Sequence, residues 1–491
     1  MLEAILAAVL ALAPGSEPPA EPEQEPDDVP DLGELPDLGE LDGRTTVGKT
    51  APPDDAGREP QELGELEPLP DLGTLSTGPK PPPPTAAPEE PEGESFGDIF
   101  TGSIRVVGAF LHFDDIPELF PAGDDALVAS VFRLMAKRDL GEHFGVEMNY
   151  FLDLSRAPGG SAAAGAFGTA GSRGSVYRYP YLVYRAWDQG SVTGSLGLDR
   201  FVVDAQAGPV NIAVGRFPIT YTVTGLLTPN DFFSPFAASA VNRIYKPGVD
   251  AIRVGSAIGM SSSVEVVAAM GYDDGGVPTW GRTGLLARAA TVQWGFEWAA
   301  LGGKVAERWV AGGSSQGDVG PVSLRAEGHV GVPDRAGDGR GTEDEDDPIH
   351  VRVSGGPSLN IGWRNSTIGA EYAFVSDGAR DPEDYLTRAT EFYPDEQPLL
   401  ARHYVGVNGG VELVPILYGS VFMLVNGNDG SGLTGLSLMY GLADEADLIA
   451  GVFVPWGADP SVTTDPMMPV VLGSELGASP LTVYLEARAF F

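Results

Sequence analysis

The chain contains no cysteine in 491 residues. That excludes a disulfide framework and any Cys-bearing zinc site, and it suits an oxidising compartment where a stray thiol is a liability. Basic residues are also scarce, 30 Lys and Arg against 69 Asp and Glu, for a net charge of −39. Nucleic acid is therefore excluded as a partner. Internal runs of eighteen or more apolar residues are missing, so no helix is expected to span a membrane. The five histidines (His112, His143, His329, His350 and His403) are scattered singly, and no G-x-S-x-G, H-E-x-x-H or phosphate loop occurs. Nothing here reads as an enzyme, a metal centre or a cofactor site. What the chain has in excess is glycine, 66 residues, and alternation.

The alternation is clearest in the last twelve residues, P-L-T-V-Y-L-E-A-R-A-F-F. Leu481, Val483, Leu485, Ala487, Ala489 and Phe491 share one face of a strand, and Thr482, Glu486 and Arg488 fall on the other. An apolar edge strand ending a soluble protein would invite aggregation. The same strand makes sense if it closes a barrel whose greasy face meets lipid. Comparable patterns recur at 144–154, 322–332, 349–361 and 367–375. This is the signal of about ten alternating residues that membrane strands give, weak singly and strong by repetition.

Connections alternate in length as well. Tight turns are expected near 140–141, 208–209, 260–261, 364–365, 415 and 443–444, and long polar loops at 112–125, 156–180, 274–283, 333–348, 378–398 and 457–479. The expected fold is all-β, a transmembrane antiparallel up-and-down β-barrel over 99–491 with about 18 strands, 16 being the other count. Segments 176–206 and 285–316 are the hardest to divide. An even number puts both chain ends in the periplasm.

The N-terminal part is of another kind. Residues 1–13 read as a short signal peptide, although Glu3 stands where a Lys or Arg is expected. Residues 14–98 hold 23 acidic and 4 basic residues, a net of −19, with dense proline and no aromatic before Phe96. Such a segment cannot bury enough apolar surface to offset its ordering entropy and is expected to be a disordered periplasmic tail. A short P-D-L-G-E-L repeat, at 30–35 and 36–41 with variants at 63–66 and 70–75, makes it either a solvated spacer or a set of sticky points for a partner.

The most specific wording lies at 210–258. V-N-I-A-V-G-R-F-P-I (210–219) leads into T-P-N-D-F-F-S-P-F (228–236) and Y-K-P-G-V-D-A-I-R-V (245–254), and G-S-E-L-G (473–477) precedes the closing strand. Together these resemble a group of uncharacterised porin-like outer-membrane proteins of Gram-negative bacteria, with Phe217 in place of the group's usual Gln. The C-terminal strand likewise resembles those of bacterial outer-membrane barrels, whose terminal Phe, here Phe491, belongs to the signal read by the barrel-insertion machinery. The resemblance implies fold and an outer-membrane location, with lipid and lipopolysaccharide as surroundings, and hardly bears on substrate.

Read from its residues, Thr228, Pro229, Asp231, Phe232, Phe233, Pro235 and Phe236 form a stretch too apolar to float in solvent. We expect the loop 220–247 to fold into the barrel as a constriction, against the alternative of an aromatic contact at the rim. Asp231 would face the gap and favour cations, with Arg216 and Arg253 as partners. Arg133, Lys137, Glu147, Asp153, Arg325, Glu327, Arg352, Glu371, Arg402, Glu412, Glu486 and Arg488 occupy wet faces and are candidates to line the pore, since an Arg or Lys facing lipid costs about 2–4 kcal/mol at the midplane. Two functions stay open: a porin passing small solutes, and a non-conducting tethering barrel whose tail binds a periplasmic or cell-wall partner. Self-association is compatible with either.

Overall fold

A computed structural model describes residues 99–116, 122–157, 175–235, 245–334, 349–392, 396–463 and 470–491. The segments 1–13 and 14–98, read above as leader and tail, lie outside the described residues, and so does Phe236.

The strands are, in order, β1 (Phe100–Phe113), β2 (Gly123–Asp139), β3 (Phe144–Arg156), β4 (Val183–Gln189), β5 (Val192–Ala207), β6 (Val210–Phe217), β7 (Val249–Ile258), β8 (Ser262–Ala269), β9 (Gly284–Gln293) and β10 (Phe296–Val305). They continue as β11 (Arg308–Val319), β12 (Val322–Pro333), β13 (His350–Ile361), β14 (Ser366–Val375), β15 (His403–Val414), β16 (Leu417–Asn426), β17 (Gly432–Ala443), β18 (Ala446–Trp456), the small pair β19 (Ser461–Val462) and β20 (Val470–Val471), and finally β21 (Leu481–Phe490). One short helix, α1 (Tyr385–Thr390), sits between β14 and β15.

Neighbours pair antiparallel in chain order, and β21 pairs with both β18 and β1, which closes the sheet. Of the 19 strands in that sheet, β4 is supplementary, so the barrel has 18. Alternation sorts the side chains as the sequence leads one to expect. Ile104, Val106 and Phe110 of β1, Tyr150, Leu152 and Leu154 of β3, and Val483 and Leu485 of β21 are exposed outward, whereas Arg133, Asp153, Glu327, Tyr484 and Glu486 are buried on the other face. Exposed Trp294 and Trp363 lie at turns of one rim, and exposed Tyr181, Tyr184, Trp187 and Trp280 lie toward the other, where aromatic side chains suit a membrane interface. Short turns gather at the rim that carries both ends of the described chain, and the long connections at the opposite rim. We call these the periplasmic and extracellular ends.

Two details differ from the expected division. Segment 285–316 contains β9, β10 and β11 joined by two short turns, 294–295 and 306–307; its Ala and Gly content blurs the alternation. The first turn takes left-handed backbone at Trp294 (φ 56°) and Gly295 (φ 80°), the twist a two-residue hairpin needs. The second detail concerns β5. Its periplasmic half pairs with β6, from Phe201↔Arg216 to Ala207↔Val210, and its extracellular half pairs along the same edge with β4, from Val183↔Gly197 to Gln189↔Val192. One strand position in the wall is thus filled by two segments. In consequence β6 leaves the wall partway up, not at the rim, and the chain after Phe217 enters the barrel there.

Candidate functional site: a segment crossing the lumen

Residues 218–235 follow β6, and their polar contacts show where they go. The Tyr221 hydroxyl donates to Glu265 Oε1 of β8 at 2.8 Å. Four groups converge on Glu327 of β12: the backbone N–H groups of Val223, Thr224 (3.3 Å) and Asn230 (3.2 Å), and the Thr222 hydroxyl (2.9 Å). Three more backbone N–H groups, of Gly225, Leu226 and Leu227, donate to Glu371 of β14 at 2.6, 2.8 and 3.1 Å. Beyond them Gln397 imitates a strand neighbour, accepting from Thr228 N–H at 3.1 Å and donating to the Leu226 carbonyl at 3.0 Å. On the return, Asn230 donates from its amide to the Gly313 carbonyl of β11 and meets His329 Nδ1 at 3.2 Å.

These contacts fix the path. From β6 to β14 is eight strand positions, about 38 Å along the wall at about 4.8 Å each, before any allowance for tilt. The eight residues from Phe217 to Gly225 reach at most about 29 Å fully extended. The segment therefore cuts across the lumen as a chord. Its tip is Gly225–Leu227, and Glu327 holds both the outgoing and the returning arm.

Apolar packing differs on the two sides. Ile219, Tyr221, Phe232 and Phe233 join the lumen-facing residues of β5 to β11 in one buried cluster, with the Tyr177 ring tilted against Phe233 at 5.1 Å and Phe232 edge-on to His329 at 4.9 Å. Leu226 and Leu227 instead pack with Tyr385, Leu399, Leu400, Val470 and Leu472, that is, with the extracellular loops above β14 to β18.

Asp231 is buried and paired with Lys246, a residue the sequence reading did not single out. It does not pair with Arg216 or Arg253, because each of those meets a carboxylate across its own ladder. Arg216 lies opposite Asp250 in the β6–β7 register and binds it through both oxygens, at 2.6 and 2.7 Å, while also donating to the Tyr179 and Leu198 carbonyls at 3.1 Å. The G-R of one motif and the G-x-D of the next are therefore partners at the point where β6 ends. Arg253 lies 3.8 Å from Glu265 and stacks 5.1 Å over Phe217, so the aromatic that replaces Gln serves as a platform. Thr228 is buried, and its carbonyl accepts from Asp231 N–H at 3.1 Å across a turn centred on Pro229 and Asn230.

The remaining candidates fall into three groups. Lumenal pairs line the wall: Arg105 with Glu486 at 2.8 and 2.9 Å, Arg133 with Asp199 at 2.7 Å, Arg488 with Asp447 at 2.9 Å, Glu147 with Arg200 at 3.6 Å, and Lys137 opposite Glu147. Arg105, Arg133 and Arg488 border one recess with Ser103, Val131 and Tyr245, the last stacked 4.6 Å from the Arg133 guanidinium. Asp153 is buried on the same face, and Arg325 faces Gln316 on β11. The second group belongs to the extracellular loops. Arg352 binds Asp377 at 2.6 Å and Glu396 at 2.8 Å, and Arg388 of α1 binds the same two carboxylates at 2.9 Å. Arg402 donates to the Gly378 carbonyl at 2.7 Å. Burial would raise the Asp377 carboxyl, but Arg352 and Arg388 outweigh it and hold Asp377 well below the usual range. Glu412, last, sits at a periplasmic turn and accepts from Asn365.

One residue in the extracellular group was visible in a motif without a role. Glu475, in G-S-E-L-G, is half-buried; it accepts from Leu400 N–H (3.2 Å), the Tyr404 hydroxyl (2.6 Å) and the Asn426 amide (2.8 Å), and its own N–H donates to Asp429 (2.9 Å). Burial lifts its carboxyl to about 7, hydrogen bonds only partly offsetting that.

No family model matches the chain, and no curated protein matches it. Solved structures with a related fold include OpdL of Pseudomonas aeruginosa (9% identity, TM-score 0.47), the outer membrane protein opdK of the same organism (10%, 0.44) and OccAB4 of Acinetobacter baumannii (8%, 0.45). Each alignment covers 80% of this chain and 98% of the other. At such values the likeness leaves function to be read from the chain's own residues.

Proposed function

We propose that the protein is an outer-membrane channel for small solutes, narrowed at mid-height by residues 218–235, with 14–98 as a periplasmic tail behind a cleaved leader. The observation that carries this reading is the chord itself. It is held by backbone hydrogen bonds to wall carboxylates and packs its aromatics against the β5–β11 wall; on the opposite side a recess bordered by Arg105, Arg133 and Arg488 supports a polar route, with an apolar cluster that includes Val107, Leu111 and Tyr484 next along the same strands. Each of these arginines has an acidic partner and Asp231 has Lys246, so the expected selectivity is weak. Lipid and lipopolysaccharide surround the apolar band in this reading, and Phe491 serves recognition by the insertion machinery.

The test is conductance in planar bilayers. The parent should give an ohmic channel, and replacing 228–236 by a Gly/Ser linker should raise single-channel conductance. A barrel that inserts and stays silent in both forms would overturn the channel reading in favour of a tether. Asp231→Asn should change ion preference little.

A further inference from the structure

We infer that Glu327 and Glu371 are positioning residues that set the width of the channel by latching the chord; the inference rests on the channel reading above. Seven hydrogen bonds from residues 222–230 end on these two carboxylates, six of them from backbone N–H groups. A chain crossing an interior has no ladder partner, and each orphan N–H away from water is costly. Two carboxylates with four oxygens replace the missing strand. The chemistry needs a carboxylate, since an acceptor-only group takes several donors at once and charged acceptors give the stronger bonds. An amide in its place turns an N–H₂ toward N–H donors.

The latches divide the work. Glu371 holds only the tip, whereas Glu327 ties the outgoing arm at 222–224 to the returning arm at Asn230. Releasing Glu371 frees the tip from the β14 side and leaves the arms pinned. Releasing Glu327 lets the arms separate. Both are therefore expected to widen the path, Glu327 more than Glu371.

Cysteine chemistry gives a direct control because the natural chain has none. A side chain built on Gly406 of β15 would place its Cβ 3.5 Å from Leu226 Cβ, within the span of about 3.5–4.5 Å that a disulfide bridges. The double variant Leu226→Cys with Gly406→Cys should oxidise readily and staple the tip to the wall. In that background, Glu371→Ala should conduct like the parent when oxidised and severalfold more when reduced. Glu371→Gln should lie between. Hydrogen exchange gives a second readout that does not depend on conduction: the N–H groups of Gly225, Leu226 and Leu227 should lose protection in Glu371→Ala while β14 keeps its own. Heat-modifiable migration confirms that each variant is a folded barrel; should Glu327→Ala fail there, Glu327→Gln replaces it.

Failure of the staple to form, or parental conductance and parental exchange in both glutamate variants, would overturn the latch. A silent parent barrel would overturn the channel reading, and the exchange measurement would then still decide whether the glutamates hold the segment.

Discussion

The two ends of the lumen are built from the same kinds of residue and differ in what surrounds them. Toward the periplasm, the Arg253–Glu265 pair keeps 39% and 28% of its side-chain surface in water, and its two charges meet singly. Toward the outside, Arg352, Arg388, Asp377 and Glu396 retain 12% or less, and each meets two opposite charges. The first arrangement is a wetted wall; the second is a clasp that holds loops 376–402 over the chord. Exposed pairs contribute little because water and salt screen them, while a buried pair broken from one side strands a charge. Rigidity should therefore increase from the periplasmic mouth outward.

The largest effect is expected at the periplasmic rim, for a reason unrelated to charge. Phe491 exchanges backbone hydrogen bonds with Gly102, at 2.6 and 3.0 Å, and its ring lies in the space a side chain on Gly102 would need. Deleting Phe490 and Phe491 should remove most heat-modifiable barrel from outer-membrane fractions; assembly at the parental level would show that the wetted end closes without them. Next comes the clasp. Arg352→Ala leaves two buried carboxylates with Arg388 alone and should cost about 3–5 kcal/mol, read as lower thermal stability in detergent and as proteolysis within 376–402. An intact loop would mean that apolar packing alone holds the clasp.

A smaller effect follows from pH. Glu475 is raised in the folded protein, so its contribution to loop closure is complete below its ordinary pKa and is lost as pH rises through about 7. Asp377 is depressed, so its contribution is present above the ordinary carboxylate range and is lost as pH falls below it. Protection of the extracellular-loop amides, after correction for the intrinsic pH dependence of exchange, should be highest at mildly acidic pH and lower at pH 8, and Glu475→Gln should abolish that fall. Equal protection at pH 5.5 and 8 in the parent would contradict it. The smallest effect is at the wet end, where Arg253→Ala should shift stability by about 1 kcal/mol or less. A loss as large as that of Arg352→Ala would erase the distinction between the two ends.

Much of the barrel was legible in the chain because a membrane strand must be apolar on every second residue whatever its neighbours are. Tyr150, Leu152 and Leu154 announce their face on their own. The even strand count, both ends of the described chain at one rim and the periplasmic turns follow from that local rule. The partners of the site residues were not legible, because they depend on register between strands. Glu327 and Glu371 could be assigned to the wet face, but nothing local says that seven hydrogen bonds from residues 97 to 146 positions away end on them. Arg216 could be paired with Asp250 only once β6 and β7 were aligned. Lys246 took Asp231 because both lie on the same returning segment. The unexpected β4 has the same origin: seven residues alternating poorly give no hint that they will complete another strand's position.

That shared position has a consequence for how the barrel is made. Sheets that grow by adding each strand to the one before pair neighbours along their length, and β6 covers only the periplasmic half of β5. The upper half of the seam has to be supplied by 176–189, a piece of chain synthesised earlier, and it is fastened by Arg216 to the Tyr179 carbonyl and by Asp250 to the Tyr179 amide. Until β7 brings Asp250 into place, that fastening lacks its acidic half. The Arg216–Asp250 pair thus joins three segments, 176–189, β6 and β7, at the point where the chord leaves the wall.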